Sequence, residues 1–272
     1  MTNRIGFTAN GYVDKKEVFS VYGDGEMCSM PRKSMVDVYF SAKNITLTYF
    51  NDKFDLKCGD FVYVEGKLEG VQGRVTGVNY NFKIKVSDHK RVIAVVDTNV
   101  SGKLFMAGSH FVTFDPSVLP SEKILTWFKA PTVDDDVYIS GSDDTTFVLE
   151  DLSGLNVTPM IADRGCSYYK QNRVRYICLD GSKGYAIIEG TEAYEIDFEY
   201  RGGEISGLTC SCFCSFNCKH EFAAMLQLKE TLELVEKNYS DEFERTGYFA
   251  AIAKTILFNF AIDGKEKGGF VL

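Results

Sequence analysis

The sequence predicts an α+β fold: a mostly antiparallel β-rich N-terminal part containing a small barrel-like sheet, then a β-hairpin, a cysteine-rich turn and two C-terminal helices. Three observations predict it. The apolar content is rich in Val, Ile, Phe and Tyr, with 21 Phe and 15 Tyr, which favours strands over helices. Over the first 155 residues the apolar runs are short and broken by glycine and polar pairs. After His220 the apolar spacing changes to a helical period.

The elements follow in order. In "MVDVYFSAKNITLTYF", Val36, Val38 and Phe40 alternate along one strand and Ile45, Leu47 and Tyr49 along the next, with "SAKN" as the turn. Gly59-Asp60 opens a strand through Phe61, Val62, Tyr63 and Val64, and Gly73 to Val78 returns as "GRVTGV". This spacing suggests a small antiparallel barrel over about residues 34–92, similar in rhythm to barrels of the SH3-like or KOW kind. A short helix is expected over Ser121 to Lys129, with Ser121 as its N-cap. Asp134 to Asp136 and Asp143-Asp144 are acidic turns that read as a solvated surface, because a calcium loop needs alternating acidic positions and a closing Glu. A change of character near residue 155 divides the chain into a β-rich domain, 1–155, and a second module, 156–272.

In the second module three or four strands joined by "DGSKG", "EGTEA" and "RGGE" precede the cysteines. From His220, Phe222, Met225, Leu226, Leu232 and Val235 share one side of a helix. "NYSDEF" breaks the pattern. Ser240 is the expected N-cap of a second helix carrying Phe249, Ile252, Ile256, Leu257 and Phe260.

No run of eighteen apolar residues occurs, so no membrane partner is expected. The first residues lack a basic region followed by an apolar run, so a cytoplasmic, reducing location is expected, where structural disulfides are uncommon. The net charge of −8 is the wrong sign for coating nucleic acid through bulk charge, although a local basic face is compatible with it.

Four of the eight cysteines fall in "TCSCFCSFNCKHEFAAML". Buried core thiols are not usually interleaved with Ser, Asn and Phe, and a redox pair before a helix is usually C-x-x-C, a spacing absent here. The H-E-x-x-H pattern is absent too. Three thiols and an imidazole are instead the donors a structural zinc ion takes in a tetrahedron. Two residues advance a helix by about 200°. Cys218 should therefore sit in the turn before the helix and His220 in its first turn, with the positive helix end beneath an anionic site.

The pattern Cys210-x-Cys212…Cys218-x-His220 resembles the SWIM zinc finger, C-x-C followed by C-x-H. The stretch "ADRGCSYYKQNRVRYICLDGSKGYAIIEGTEAYEIDFEY" is similar to the region that precedes the finger in bacterial SWIM proteins, so the resemblance spans roughly residues 158–235. It implies Zn2+ held by Cys210, Cys212, Cys218 and His220. Here the gap is short and Cys214 makes a second C-x-C, so Cys214 is the alternative to Cys210; Cys210 is preferred because it continues the preceding strand. Cys28, Cys58, Cys166 and Cys178 read as core or bystander thiols.

The resemblance implies an interaction module that binds DNA or protein, not a catalyst. Phosphate-loop, nucleophile-elbow and dinucleotide motifs are absent. Ser109, His110 and Asp115 lie near one another in sequence, but a triad is defined by geometry. Residues expected to meet nucleic acid are Arg164, Lys170, Arg173, Arg175, Lys183 and Lys219, with Tyr168, Tyr169 and Tyr176 available to stack on bases. The barrel adds Lys67, Arg74, Lys83, Lys85, Lys90 and Arg91. The alternative is a protein–protein adaptor in which zinc is structural only.

Overall fold

A computed structural model describes residues 31–131, 146–212, 214 and 216–262. Cys28 and the two acidic turns, Asp134 to Asp136 and Asp143-Asp144, lie outside those residues. The fold is α+β, built on two antiparallel sheets of five and eight strands.

The five-stranded sheet contains β1 (Ser34–Phe40), β2 (Ile45–Asn51), β3 (Phe61–Val64), β4 (Gly73–Asn79) and β5 (Val92–Val96), in the order β2-β1-β4-β3-β5. β1 and β2 pair from Ser34–Asn51 to Phe40–Ile45, so residues 41–44 form the expected turn. A parallel bridge between Phe50 and Arg91 brings β2 back towards β5 and curls the sheet towards closure. Val36, Val38, Phe40, Val62, Val64, Val75 and Val92 fill its interior. Alternation along β1 puts its apolar set inside, as a half-buried strand requires.

The eight-stranded sheet contains β6 (Phe105–Ala107), β7 (His110–Thr113), β8 (Phe147–Val148), β9 (Val174–Asp180), β10 (Lys183–Glu189), β11 (Ala193–Arg201), β12 (Glu204–Cys210) and β13 (Tyr248–Ala253). Their order is β6-β7-β13-β9-β10-β11-β12-β8, so strands from both sides of residue 155 share one sheet. Four α-helices occur among the described residues: α1 (Ser121–Leu125), α2 (Pro159–Lys170), α3 (Lys219–Thr246) and α4 (Lys254–Leu257).

Each face of the sheet has its own core. Ile177, Leu179, Ala186, Ile188, Ile196 and Phe198 meet Ala224, Met225, Leu228, Leu232 and Val235 of α3. On the other face Tyr176, Ile187, Tyr248 and Ile252 meet Trp127, Leu119 and Tyr63 of the N-terminal half. Trp127 stacks on Phe260 and donates its indole N–H to the Asp97 carbonyl at 2.9 Å. Tyr63 donates to the Thr126 carbonyl at 2.9 Å, tying the five-stranded sheet to this seam.

The expected second C-terminal helix is corrected in two ways. First, α3 runs through "NYSDEF" to Thr246, with non-helical backbone at Tyr239, one residue before the expected cap at Ser240. It ends where Gly247 takes the left-handed conformation and donates to Phe243 O at 2.7 Å. Second, Tyr248–Ala253 is a strand in the sheet interior, between β7 and β9. All six residues are buried, with Phe249 and Ala251 in one core and Tyr248, Ala250 and Ile252 in the other. A strand apolar on both faces lacks the period-two signal and is easily read as a buried helix. Only residues 254–262, beyond it, turn helical.

Candidate metal centre

The cysteine cluster forms where β12 hands the chain to α3. Pairing of Cys210 with Ile196 of β11 ends β12 at the first cysteine. Ser211 donates its N–H to the Glu195 carbonyl and accepts the Glu195 N–H on its Oγ, both at 2.9 Å. These bonds hold the C-x-C beside β11. Asn217 donates to the Leu155 carbonyl at 2.6 Å, anchoring the chain just before Cys218. Cys218 is the N-cap of α3, and its N–H donates to the Glu221 carboxylate at 2.6 Å. His220 is the second residue of the helix, in the first turn as expected.

The donor atoms of Cys210, Cys212, Cys218 and His220 lie within 4.8 Å of one another. His220 Nδ1 is 3.8 Å from Cys210 Sγ. Tetrahedral bonds of about 2.0–2.3 Å set donor–donor edges of roughly 3.3–3.8 Å, so a small contraction suffices to close the group on an ion. Cys210, Cys218 and His220 are buried and Cys212 is half-buried. Cys214 is exposed and stands outside the group.

The sulfurs divide unequally. Cys218 is held well below the usual thiol range, first by its hydrogen bond with Cys210, then by His220 and the Glu221 N–H, against the opposing effect of burial. The same contact with Cys218 pushes Cys210 up, and burial adds to it. Burial also raises Cys212, to about 12. Sulfurs at this spacing oppose one another's ionisation and a cation between them relieves that opposition, which the donor set and its near-closure fit.

Around His220 the packing is aromatic. The Tyr194 ring stacks on the imidazole at 4.2 Å and 19°, and the Tyr168 ring meets it edge-on at 5.4 Å. Thr191 hydrogen-bonds the Tyr194 hydroxyl at 2.8 Å. A Cβ on Gly190 would lie 2.7 Å from the Tyr194 ring and 3.5 Å from His220 Nε2, so only glycine leaves this space. His220 Nε2 is buried with no hydrogen-bond partner. Gly165 does the equivalent between helices: its Cβ would stand 2.8 Å from Phe222 and 3.1 Å from the Lys219 carbonyl, letting α2 sit against the first turns of α3.

Thus "EGTEAY" and "RGCSY" supply the supports of His220. In the sequence Tyr168 reads only as a base-stacking candidate and Tyr194 is not singled out, so this role was missed. α2 was missed as well, although Thr158-Pro159 is an N-cap followed by proline at the first helical position: Thr158 Oγ1 accepts the Ile161 N–H.

The basic residues separate into groups. Arg173 lies over the Tyr168 ring at 4.8 Å and Lys219 at 5.2 Å, so two cations share the ring that touches His220. Arg164 and Lys170 are exposed on α2. Arg175 is committed to Glu189, at 2.6 Å, and to the Asn172 carbonyl. Lys183 sits at the turn end of the β9–β10 hairpin, opposite the end where Glu189 leads to Gly190 and the cluster. In the barrel, Arg91 pairs with Asp52.

Ser109 Oγ is 2.9 Å from His110 Nδ1, but the other ring nitrogen donates to the Val174 carbonyl at 2.9 Å. The Asp115 carboxylate accepts from Ser117 instead. Burial lowers His110 to about 4. A cleft of about 570 Å³ lined by Lys103, Phe105, Asp115, Asp241 and Arg245 lies at the C-terminal end of α3, away from the cluster. Of the remaining thiols, Cys58 is exposed, Cys166 half-buried and Cys178 buried in the core. No helix among the described residues is long and apolar enough to cross a membrane.

The site defines a protein with a Cys3His group able to hold a metal ion, set between a sheet and a helix. No protein family, curated protein or solved structure matches the chain.

Proposed function

We propose that the chain is a zinc-binding interaction protein of the SWIM type, non-catalytic and acting in a DNA-associated complex. The observation that carries the reading is the closed group of Cys210, Cys212, Cys218 and His220, spaced as C-x-C and C-x-H, with its imidazole packed against Tyr194 and Tyr168. Soft sulfur and imidazole donors, four in number, favour Zn2+, and full protein coordination leaves no position open for substrate. Three thiolates on a divalent ion leave one negative charge, which Lys219 and the α3 N-terminus offset.

The nucleic-acid part of the reading draws on the face beside the centre. Tyr168 with Arg173 and Lys219, flanked by Arg164 and Lys170, combines a ring with cations as single-strand binding surfaces do. Arg175 and Lys183 contribute less, one being paired and the other distant. A second reading, a protein adaptor, draws on Phe216, which is 85% exposed in the connection between Cys214 and Cys218.

The test has two stages. Elemental analysis should find one zinc per chain, lost in Cys218→Ser. Titration with single- and double-stranded DNA at several salt concentrations should then show affinity that falls as salt rises and drops in Arg173→Ala. Zinc without salt-dependent DNA binding would favour the adaptor; absence of zinc would overturn both.

A further inference from the structure

Charge is divided unevenly along the chain. Residues 31–96, which build the five-stranded sheet and its connections, carry 11 Lys and Arg against 7 Asp and Glu, a net of +4. The whole chain carries −8, so the remainder carries −12. A cationic sheet on an acidic molecule is a local field for a polyanion that the net charge conceals.

Strand register gathers part of that charge at one end of the sheet. Ser34 at the start of β1 pairs with Asn51 at the end of β2, and Met35 pairs with Asn79 at the end of β4. The Asn51 amide donates to the Ser34 hydroxyl at 3.0 Å and to the Phe54 carbonyl at 2.6 Å, fixing the chain on both sides of this junction. Arg32 and Lys33 before β1, Lys53 after β2, and Tyr80 and Lys83 after β4 therefore lie at the same end, and all five are exposed. The Arg32 guanidinium stands 4.6 Å from the Tyr80 ring centroid. Beyond Tyr80 the burial alternates: Phe82 turns in against the Phe50 ring at 6.1 Å and Lys83 turns out.

The neighbouring acids are largely engaged. Asp52 pairs with Arg91, Asp88 with Lys85, and the Asp60 carboxylate accepts the Lys57 N–H. Among the described residues, Arg32, Lys33, Lys53 and Lys83 have no ion-pair partner. Four uncommitted cations thus surround an exposed ring.

We propose that this end of the five-stranded sheet binds single-stranded nucleic acid, as a contact surface separate from the face beside the metal centre. The proposal rests on the nucleic-acid part of the reading above and is independent of the metal. Lys33, Lys53 and Lys83 meet successive phosphates, while an unpaired base stacks on Tyr80 or on the Arg32 guanidinium plane. A duplex keeps its base faces stacked and offers nothing to that ring, so the single strand is the form selected. The acidic remainder of the molecule repels the strand elsewhere and confines it to this end.

The experiment uses the full chain, its zinc content measured, and fluorescence anisotropy with labelled oligo(dT), oligo(U) and a DNA duplex over a range of salt. We expect both single strands to bind more tightly than the duplex; a preference between them would assign DNA or RNA as the natural source. Lys33→Ala combined with Lys83→Ala should weaken oligo(dT) at least tenfold and reduce the salt slope by about 1.4. Tyr80→Ala should weaken it about fivefold or more. Lys43→Ala combined with Lys237→Ala, the same charge change on the β1–β2 turn and on α3, should bind as wild type. Losses equal to those of this control, or a loss confined to Arg173→Ala, would overturn the proposal and leave the metal-centre face standing. Absence of oligonucleotide binding in a zinc-loaded wild type would overturn the proposal together with the nucleic-acid reading, and leave the metal centre untouched.

Discussion

Tyr194 lies flat against His220, with ring centroids 4.2 Å apart and planes 19° from parallel. The contact joins β11 to the first turn of α3 and fixes the imidazole with Nδ1 towards Cys210. The ligand is thereby oriented before any ion arrives. Replacing Tyr194 with Leu should remove a ring contact of about 0.5–1.5 kcal/mol, weakening zinc about 2- to 12-fold in competition with a chelator. Tyr194→Phe, which loses only the Thr191 hydrogen bond, should stay near wild type.

Gly165→Ala tests the seat of α2. Alanine is the better helix former by about 1 kcal/mol, so an unobstructed site would be stabilised. Here the new Cβ meets the Phe222 side chain at 2.8 Å and a backbone carbonyl at 3.1 Å. Overpacking of this kind costs typically about 1–3 kcal/mol. We expect a lower denaturant midpoint; a rise would mean that α2 does not pack this closely.

Trp127 is the sole tryptophan, and its ring lies in the seam between the five-stranded sheet and the eight-stranded one. In Cys218→Ser, loss of the metal should loosen the chain from about residue 160 onward, removing Tyr176, Ile187 and Tyr248 from that seam. Tryptophan emission should shift to longer wavelength and new proteolytic cuts should fall after residue 160. The interior of the five-stranded sheet, which is self-contained, should resist cleavage. An unchanged emission spectrum and cleavage pattern would contradict this.

His110 should make stability depend on pH. Burial is the first cause of its low value, about 4, with Arg175 and Lys254 adding to it against the bond to the Val174 carbonyl; Ser109 is its other partner. An unfolded histidine takes up a proton near 6.5, whereas the folded one stays neutral until about 4. The contribution is therefore complete above pH 6.5 and is lost as pH falls from 6.5 towards 4. The loss approaches about 3 kcal/mol. Urea unfolding at pH 7 and pH 5 should show a smaller difference in His110→Gln than in wild type.

The cluster and the first hairpin were legible because their signals are local. A C-x-C and a C-x-H state their own donors, and "SAKN" between two alternating runs sets the register of β1 on β2. β13 was not legible, because its six residues are apolar on both faces and its partner strands, Val174–Asp180 and His110–Thr113, lie far back along the chain. The sockets of His220 were hidden for a related reason: Gly165, Tyr168, Gly190 and Tyr194 acquire their role only when α2 and the β10–β11 turn meet at one imidazole.

The position of β13 also governs how the protein can be made. Tyr248–Ala253 leaves the ribosome after both of its partner strands, yet it belongs in the middle of the sheet, paired on one side with His110–Thr113. Until it emerges, β7 and β9 have open edges facing each other and a gap where a strand belongs. Synthesis at about 5–20 residues per second leaves those edges waiting for several seconds. The five-stranded sheet needs nothing beyond Val96 and can form early. The larger sheet closes only after β13 is made, and the nascent chain depends during that interval on whatever shields an unpaired strand.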